Sequence, residues 1–69
     1  MTDKEKIQNM KEGETIYLNM FNDGGVQIHM YNHEYQLYEI PLYGGHPQFY
    51  NIYEPKNIDN MIKEYQSWT

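Results

Sequence analysis

A chain of 69 residues with net charge −5, built from ten acids and five lysines with no arginine or cysteine, excludes several classes of protein at once. Without cysteine there is no disulfide framework and no thiolate metal site to staple a small fold. Duplex nucleic acid is disfavoured as a partner, because lysine and arginine supply the counterion-releasing contacts to phosphate and arginine most of the specific base contacts.

The length predicts one small α+β domain over residues 1–69, of a size that buries only about 60% of the surface its unfolded chain exposes. At roughly 0.05–0.15 kcal/mol per residue, the expected stability is about 3–10 kcal/mol. The chain begins Met-Thr-Asp-Lys-Glu-Lys with no apolar run behind it. No run approaches the roughly 18 apolar residues of a membrane span. These features predict a soluble cytoplasmic protein, and its acidity opposes an anionic membrane surface.

Residues 2–12 read as a short helix. Thr2 and Glu5 stand at capping-box spacing, Asp3 and Glu5 suit the positive end, and Gly13 stands where a terminating glycine would. Only Ile7 and Met10 give it an apolar stripe.

Residues 15–31 read as a β-hairpin. Ile16, Leu18 and Met20 alternate with Tyr17, Asn19 and Phe21; Val26, Ile28 and Met30 alternate with Gln27, His29 and Tyr31. A three-residue loop, Asp23-Gly24-Gly25, keeps aliphatic opposite aliphatic and predicts Met20 facing Ile28 and Leu18 facing Met30. A two-residue turn at Asn32-His33 then sets Met30 against Tyr35 and Ile28 against Leu37. The third strand, about 34–42, loses its alternation near Pro41. A bulge at 39–41 is predicted there, returning Ile40 and Leu42 to the core face. After the Gly44-Gly45-His46-Pro47 loop, residues 48–53 read as a fourth strand with Tyr50 and Ile52 on one side and Phe49 and Tyr53 on the other. Asn57 is placed to cap a last helix, 58–68, whose Ile58, Met61, Ile62, Tyr65 and Trp68 form one apolar stripe. The predicted architecture is a short N-terminal helix, a four-stranded antiparallel meander, and a C-terminal amphipathic helix packed on one sheet face.

No pattern for chemistry emerges. His29, His33 and His46 lack the spacing that converges ligands on a strand or helix. The acids are scattered, Ser67 has no histidine near it in sequence, and no phosphate-loop, nucleophile-elbow or zinc-helix motif is present. No catalytic residue, metal ligand or cofactor is implied.

The informative feature is the second face of the sheet. With Ile16, Leu18, Met20, Val26, Ile28, Met30, Leu37 and Ile52 under the helix, the opposite face carries Tyr17, Phe21, His29, Tyr31, Tyr38, Phe49 and Tyr53. These alternate with Asn19, Gln27, Gln36 and Asn51. Tyrosine also stabilises sheets without any partner. Yet so many aromatics on a side normally wetted suit a contact surface. The expectation is a small acidic non-enzymatic protein-interaction module whose aromatic face or sheet edge meets a protein partner. Small acidic proteins of this kind are common among phage and mobile-element products that bind and inhibit a host protein, certain anti-CRISPR proteins included. That likeness is one of class and rests on no motif. The alternatives are a homodimer burying the aromatic face, and a single-stranded nucleic-acid binder stacking bases on the sheet aromatics.

Overall fold

A computed structural model describes residues 2–68. In chain order it contains α1 (Asp3–Gln8), β1 (Thr15–Phe21), β2 (Gly24–Tyr31), β3 (Glu34–Ile40), β4 (Gln48–Tyr53), a 3-10 turn (Pro55–Asn57) and α2 (Ile58–Gln66). The strands form one antiparallel sheet in the order β1-β2-β3-β4, the α+β meander that the alternation predicts.

Helix α1 starts where its capping box is written. Thr2 Oγ1 accepts from the Glu5 N–H at 3.2 Å, and the Glu5 carboxylate accepts from the Thr2 N–H at 3.2 Å. The helix ends at Gln8 rather than at residue 12. Gly13, at φ +86°, instead occupies the third position of a turn closed by the Glu14 N–H to the Lys11 carbonyl.

In α2 the apolar stripe buries Ile58, Met61 and Tyr65, with Ile62 and Trp68 packed at its margin. Asn57 makes no capping hydrogen bond with its side chain, because the 3-10 turn that begins at Pro55 carries the chain into the helix.

Both helices lie on the same side of the sheet. Lys4 pairs with Asp59 at 3.0 Å, and the Tyr65 hydroxyl donates to Asp3 Oδ2 at 2.9 Å. Beneath them, Ile7 and Met10 join Leu18, Val26, Ile28, Met30, Tyr35, Leu37, Ile58, Met61 and Tyr65 in one core. The Tyr35 hydroxyl donates to the Ile7 carbonyl at 3.4 Å, so even the buried phenols of this core find acceptors. Burial raises the pKa of Tyr35, and burial followed by the Asp3 hydrogen bond raises that of Tyr65.

The first hairpin departs from its predicted register. Ile16, rather than Met20, faces Ile28, and Leu18 faces Val26. The slip is four residues, an even number, so Ile16 and Leu18 keep the core face. The turn is made by Asn22 and Asp23, at φ +51° and +62°, the pair of left-handed residues that matches strand twist in a two-residue loop. Gly24 and Gly25 lie in β2 for a different reason. A Cβ on Gly24 would sit 2.9 Å from the Ile40 carbonyl oxygen and from Leu42 N and Cα; one on Gly25 would sit 2.6 Å from Met20 Sδ and 2.8 Å from the Leu18 carbonyl oxygen. The surplus is taken up by a bulge between Leu18 and Phe21, with Asn19 at φ +52°. It leaves Met20 exposed rather than in the core.

The second hairpin is as predicted. Asn32 and His33, at φ +55° and +63°, form the turn, with Met30 facing Tyr35 and Ile28 facing Leu37. The Glu12 carboxylate clamps that turn, accepting from the N–H of Asn32 at 2.5 Å and of His33 at 2.9 Å. These backbone hydrogen bonds, His33 first, hold its pKa below the ordinary glutamate value. A lowered folded-state pKa gives stabilisation that is complete above the unfolded carboxyl's titration and is lost as pH falls through the folded value. Glu12→Gln should therefore melt earlier than the wild type at neutral pH, with the gap closing in acid as the wild-type carboxylate protonates. Thermal melts across that range check it, and a gap independent of pH would exclude the clamp.

No bulge occurs in β3. Its register with β2 runs unbroken from Glu34 to Ile40, and the strand stops before Pro41. Ile40 is buried, but on the parity of Gln36 and Tyr38, and Leu42 is exposed. The irregularity falls in β4: Leu37 faces Asn51 while Tyr38 faces Phe49, which leaves Tyr50 as the extra residue.

Candidate interaction surface

The sheet face away from the helices is ordered in rows. Tyr17, Gln27, Tyr38 and Phe49 oppose one another across all four strands, and Thr15, His29, Gln36 and Ile52 form the next row. Tyr31 and Glu34 extend it at the β2–β3 turn. Directly opposed residues of an antiparallel pair project to the same side. The two rows therefore define one continuous surface.

Tyr17, Tyr31 and Phe49 leave 58%, 60% and 55% of their area in solvent. Tyr38 meets Phe49 edge-on, with centroids 5.6 Å apart and planes at 75°. His29 lies near-parallel to Tyr31 at 6.4 Å, and its Nδ1 shares a hydrogen bond with Thr15 Oγ1 at 2.8 Å. The Tyr38 hydroxyl donates to Gln36 Oε1 at 3.3 Å. These contacts pre-order the rings, which reduces the side-chain entropy that binding would otherwise cost. The one ionisable acid on the two rows and their extension is Glu34, at the margin. The five lysines fall on α1, the loop after it, the 3-10 turn and α2.

Five of the seven residues expected on this surface are brought together: Tyr17, His29, Tyr31, Tyr38 and Phe49. Two are not, each because of a bulge. The β1 bulge sets Phe21 opposite Gly24, on the parity of Val26 and Ile28, and so on the helix side. The β4 bulge sets Tyr53 opposite Tyr35, where it packs against the core. The same inversion moves Ile52 from its expected core position to the aromatic surface, opposite Gln36. Tyr50 turns to the helix side: its ring meets Trp68 edge-on at 5.1 Å and its hydroxyl donates to the Glu64 carboxylate. That hydrogen bond, then burial, raises the Tyr50 pKa.

Two side chains that could take part in chemistry, His33 and Ser67, are engaged locally. His33 Nδ1 lies 3.8 Å from Glu12, and Ser67 Oγ donates to the Glu64 carbonyl at 2.6 Å. Among the described residues, no three histidine or acid side chains are grouped to hold a metal ion, and no helix is long and apolar enough to cross a membrane. No protein-family model, curated protein or solved structure matches the chain.

Proposed function

We propose that this chain is a non-enzymatic binding module whose open aromatic sheet face docks on a protein partner. One observation carries the reading: both helices cover the same side of the sheet, leaving Tyr17, His29, Tyr31, Tyr38, Phe49 and Ile52 in ordered rows without a lid. Tyrosine, phenylalanine and histidine flanked by glutamine and threonine give large rigid contact area with polar handles, the composition of a contact core. The surface matches a neutral patch on its partner, since acids and lysines lie almost wholly elsewhere. Inhibition of a host protein by a phage or mobile-element product is one biological setting that suits a small acidic binder.

The near-absence of charge also favours a second reading, association of two copies through this face, because like charges would not meet. Sedimentation at high concentration distinguishes the two, a monomer excluding the second. Stacking of single-stranded nucleic acid gains less support, as no lysine stands on the face to track a phosphate backbone.

The test is affinity capture with the wild type, the triple variant Tyr17→Ala/Tyr31→Ala/Tyr38→Ala, and Lys56→Ala as a control. The triple variant should remain folded and lose the captured protein, since hot-spot aromatics cost about 2 kcal/mol or more each when truncated. The control should retain it. Capture that survives the triple variant would refute the aromatic-face reading.

A further inference from the structure

At the end of the sheet beside the β1–β2 turn lies a cavity of about 560 Å³. That is within the range of roughly 300–1,000 Å³ typical of ligand sites. Phe21, Val26, Ile40, Leu42 and Trp68 form its apolar walls, and Gly24 and Gly25 line it without side chains. The Pro41–Leu42 segment passes close over Gly24, and the Tyr43 N–H donates to the Asn22 carbonyl at 2.7 Å, tying the loop after β3 to the first turn. Both strand irregularities feed this site: the β1 bulge turns Phe21 into it, and the β4 bulge turns Tyr50 against Trp68.

Its electrostatics are one-sided. Glu39, opposite Val26, is the single ionisable side chain in the lining and has no ion-pair partner among the described residues. The Glu64 carboxylate is bonded to the hydroxyl of Tyr50, whose ring meets the Trp68 ring edge-on. No lysine lines the cavity, and the chain as a whole carries −5. Phe21 and Leu42 also leave more than half of their surface in water. An occupant confined to the cavity would cover only the part of these walls that faces it, whereas a side chain presented from a larger surface would cover the remainder too.

We propose that this cavity receives an apolar side chain of a partner protein flanked by lysine or arginine. The apolar side chain buries against Phe21, Leu42 and Trp68, and the neighbouring cation meets the Glu39 carboxylate. The site is separate from the aromatic face, and its variants leave Tyr17, Tyr31 and Tyr38 untouched.

Trp68 is the sole tryptophan, so emission excited selectively reports on this cavity. The probes are acetyl-Lys-Leu-Lys-amide, acetyl-Glu-Leu-Glu-amide, acetyl-Lys-Gly-Lys-amide and hexylammonium, titrated into the full chain. The first should shift Trp68 emission saturably and bind more tightly than the acidic peptide by roughly two- to fivefold, the scale of an exposed ion pair. The glycine peptide should give no saturable change. Glu39→Gln should shrink the difference between the basic and acidic peptides, and Leu42→Ala should weaken both; each residue is exposed, so folding is preserved. The proposal fails if no peptide gives a saturable change, if the acidic or glycine peptide matches the basic leucine peptide, or if the difference survives Glu39→Gln. Hexylammonium binding as tightly as the basic leucine peptide would overturn it in favour of a free amine.

Discussion

Replacing Ile28 with alanine should destabilise the protein by about 2–5 kcal/mol, the usual cost of removing a large aliphatic side chain from a packed core. Ile28 is fully buried, faces Ile16 on one neighbouring strand and Leu37 on the other, and lies under the helices. Against an expected total of about 3–10 kcal/mol for a chain this short, that loss removes a large share of the stability and lowers the unfolding midpoint accordingly. The informative comparison is Ile52→Ala. Simple alternation puts both isoleucines in the core, but the β4 bulge carries Ile52 to the open face, where it is exposed. Its truncation should cost within about 0.5 kcal/mol. Urea titrations of the two variants check the assignment. Equal losses would mean that the face of β4 is inverted.

Gly25→Ala should be nearly as damaging, at roughly 2–5 kcal/mol, because two penalties coincide. The residue adopts φ +156°, which costs a side-chain-bearing residue about 1–3 kcal/mol. The added methyl would also press on Met20 Sδ and, less yieldingly, on the Leu18 carbonyl oxygen, with overpacking adding about 1–3 kcal/mol. Were Gly25 the last residue of a three-residue turn, alanine there would meet backbone strain alone. A stability loss comparable to that of Ile28→Ala is therefore expected, and a loss of only about 1 kcal/mol, the cost of the strain by itself, would speak for the turn.

These two sites show which parts of the fold are legible in the chain and which are not. Element order, sheet order, the α1 capping box, the α2 stripe and the Asn32-His33 turn all follow from local signals: a cap three residues from its partner, a 3.6-residue stripe, a period of two. The core face of the first hairpin is legible for a subtler reason, since an even register slip leaves side-chain parity unchanged. Bulges are not legible in this way. The residues at both, Asn19-Met20 and Tyr50, carry no glycine or proline to mark them. Gly24 and Gly25 read locally as a turn, but the reason for glycine is the approach of residues 40–42 and of Leu18 and Met20. The Glu12 clamp on residues 32–33 spans twenty positions and has no local signature at all.

The aromatic surface shows the same division. Tyr17, His29, Tyr31 and Tyr38 lie on strands, or parts of strands, whose parity is unbroken, and Phe49 precedes the β4 bulge. Phe21 and Tyr53 each lie beyond a bulge, and both cross to the other side. The surface that remains is smaller and more regular than simple alternation implies. It also leaves Phe21 free to line the cavity beside Trp68.

Hydroxyl-radical footprinting of the aromatic rings, alone and bound to the captured partner, tests the open face most directly. In the free protein, Tyr17, Tyr31 and Phe49 should oxidise readily while the fully buried Tyr65 is protected. On binding, Tyr17, Tyr31 and Phe49 should become protected together. Protection absent from these three rings in the complex, or already complete in the free monomer, would contradict a functional surface on the open face of the sheet.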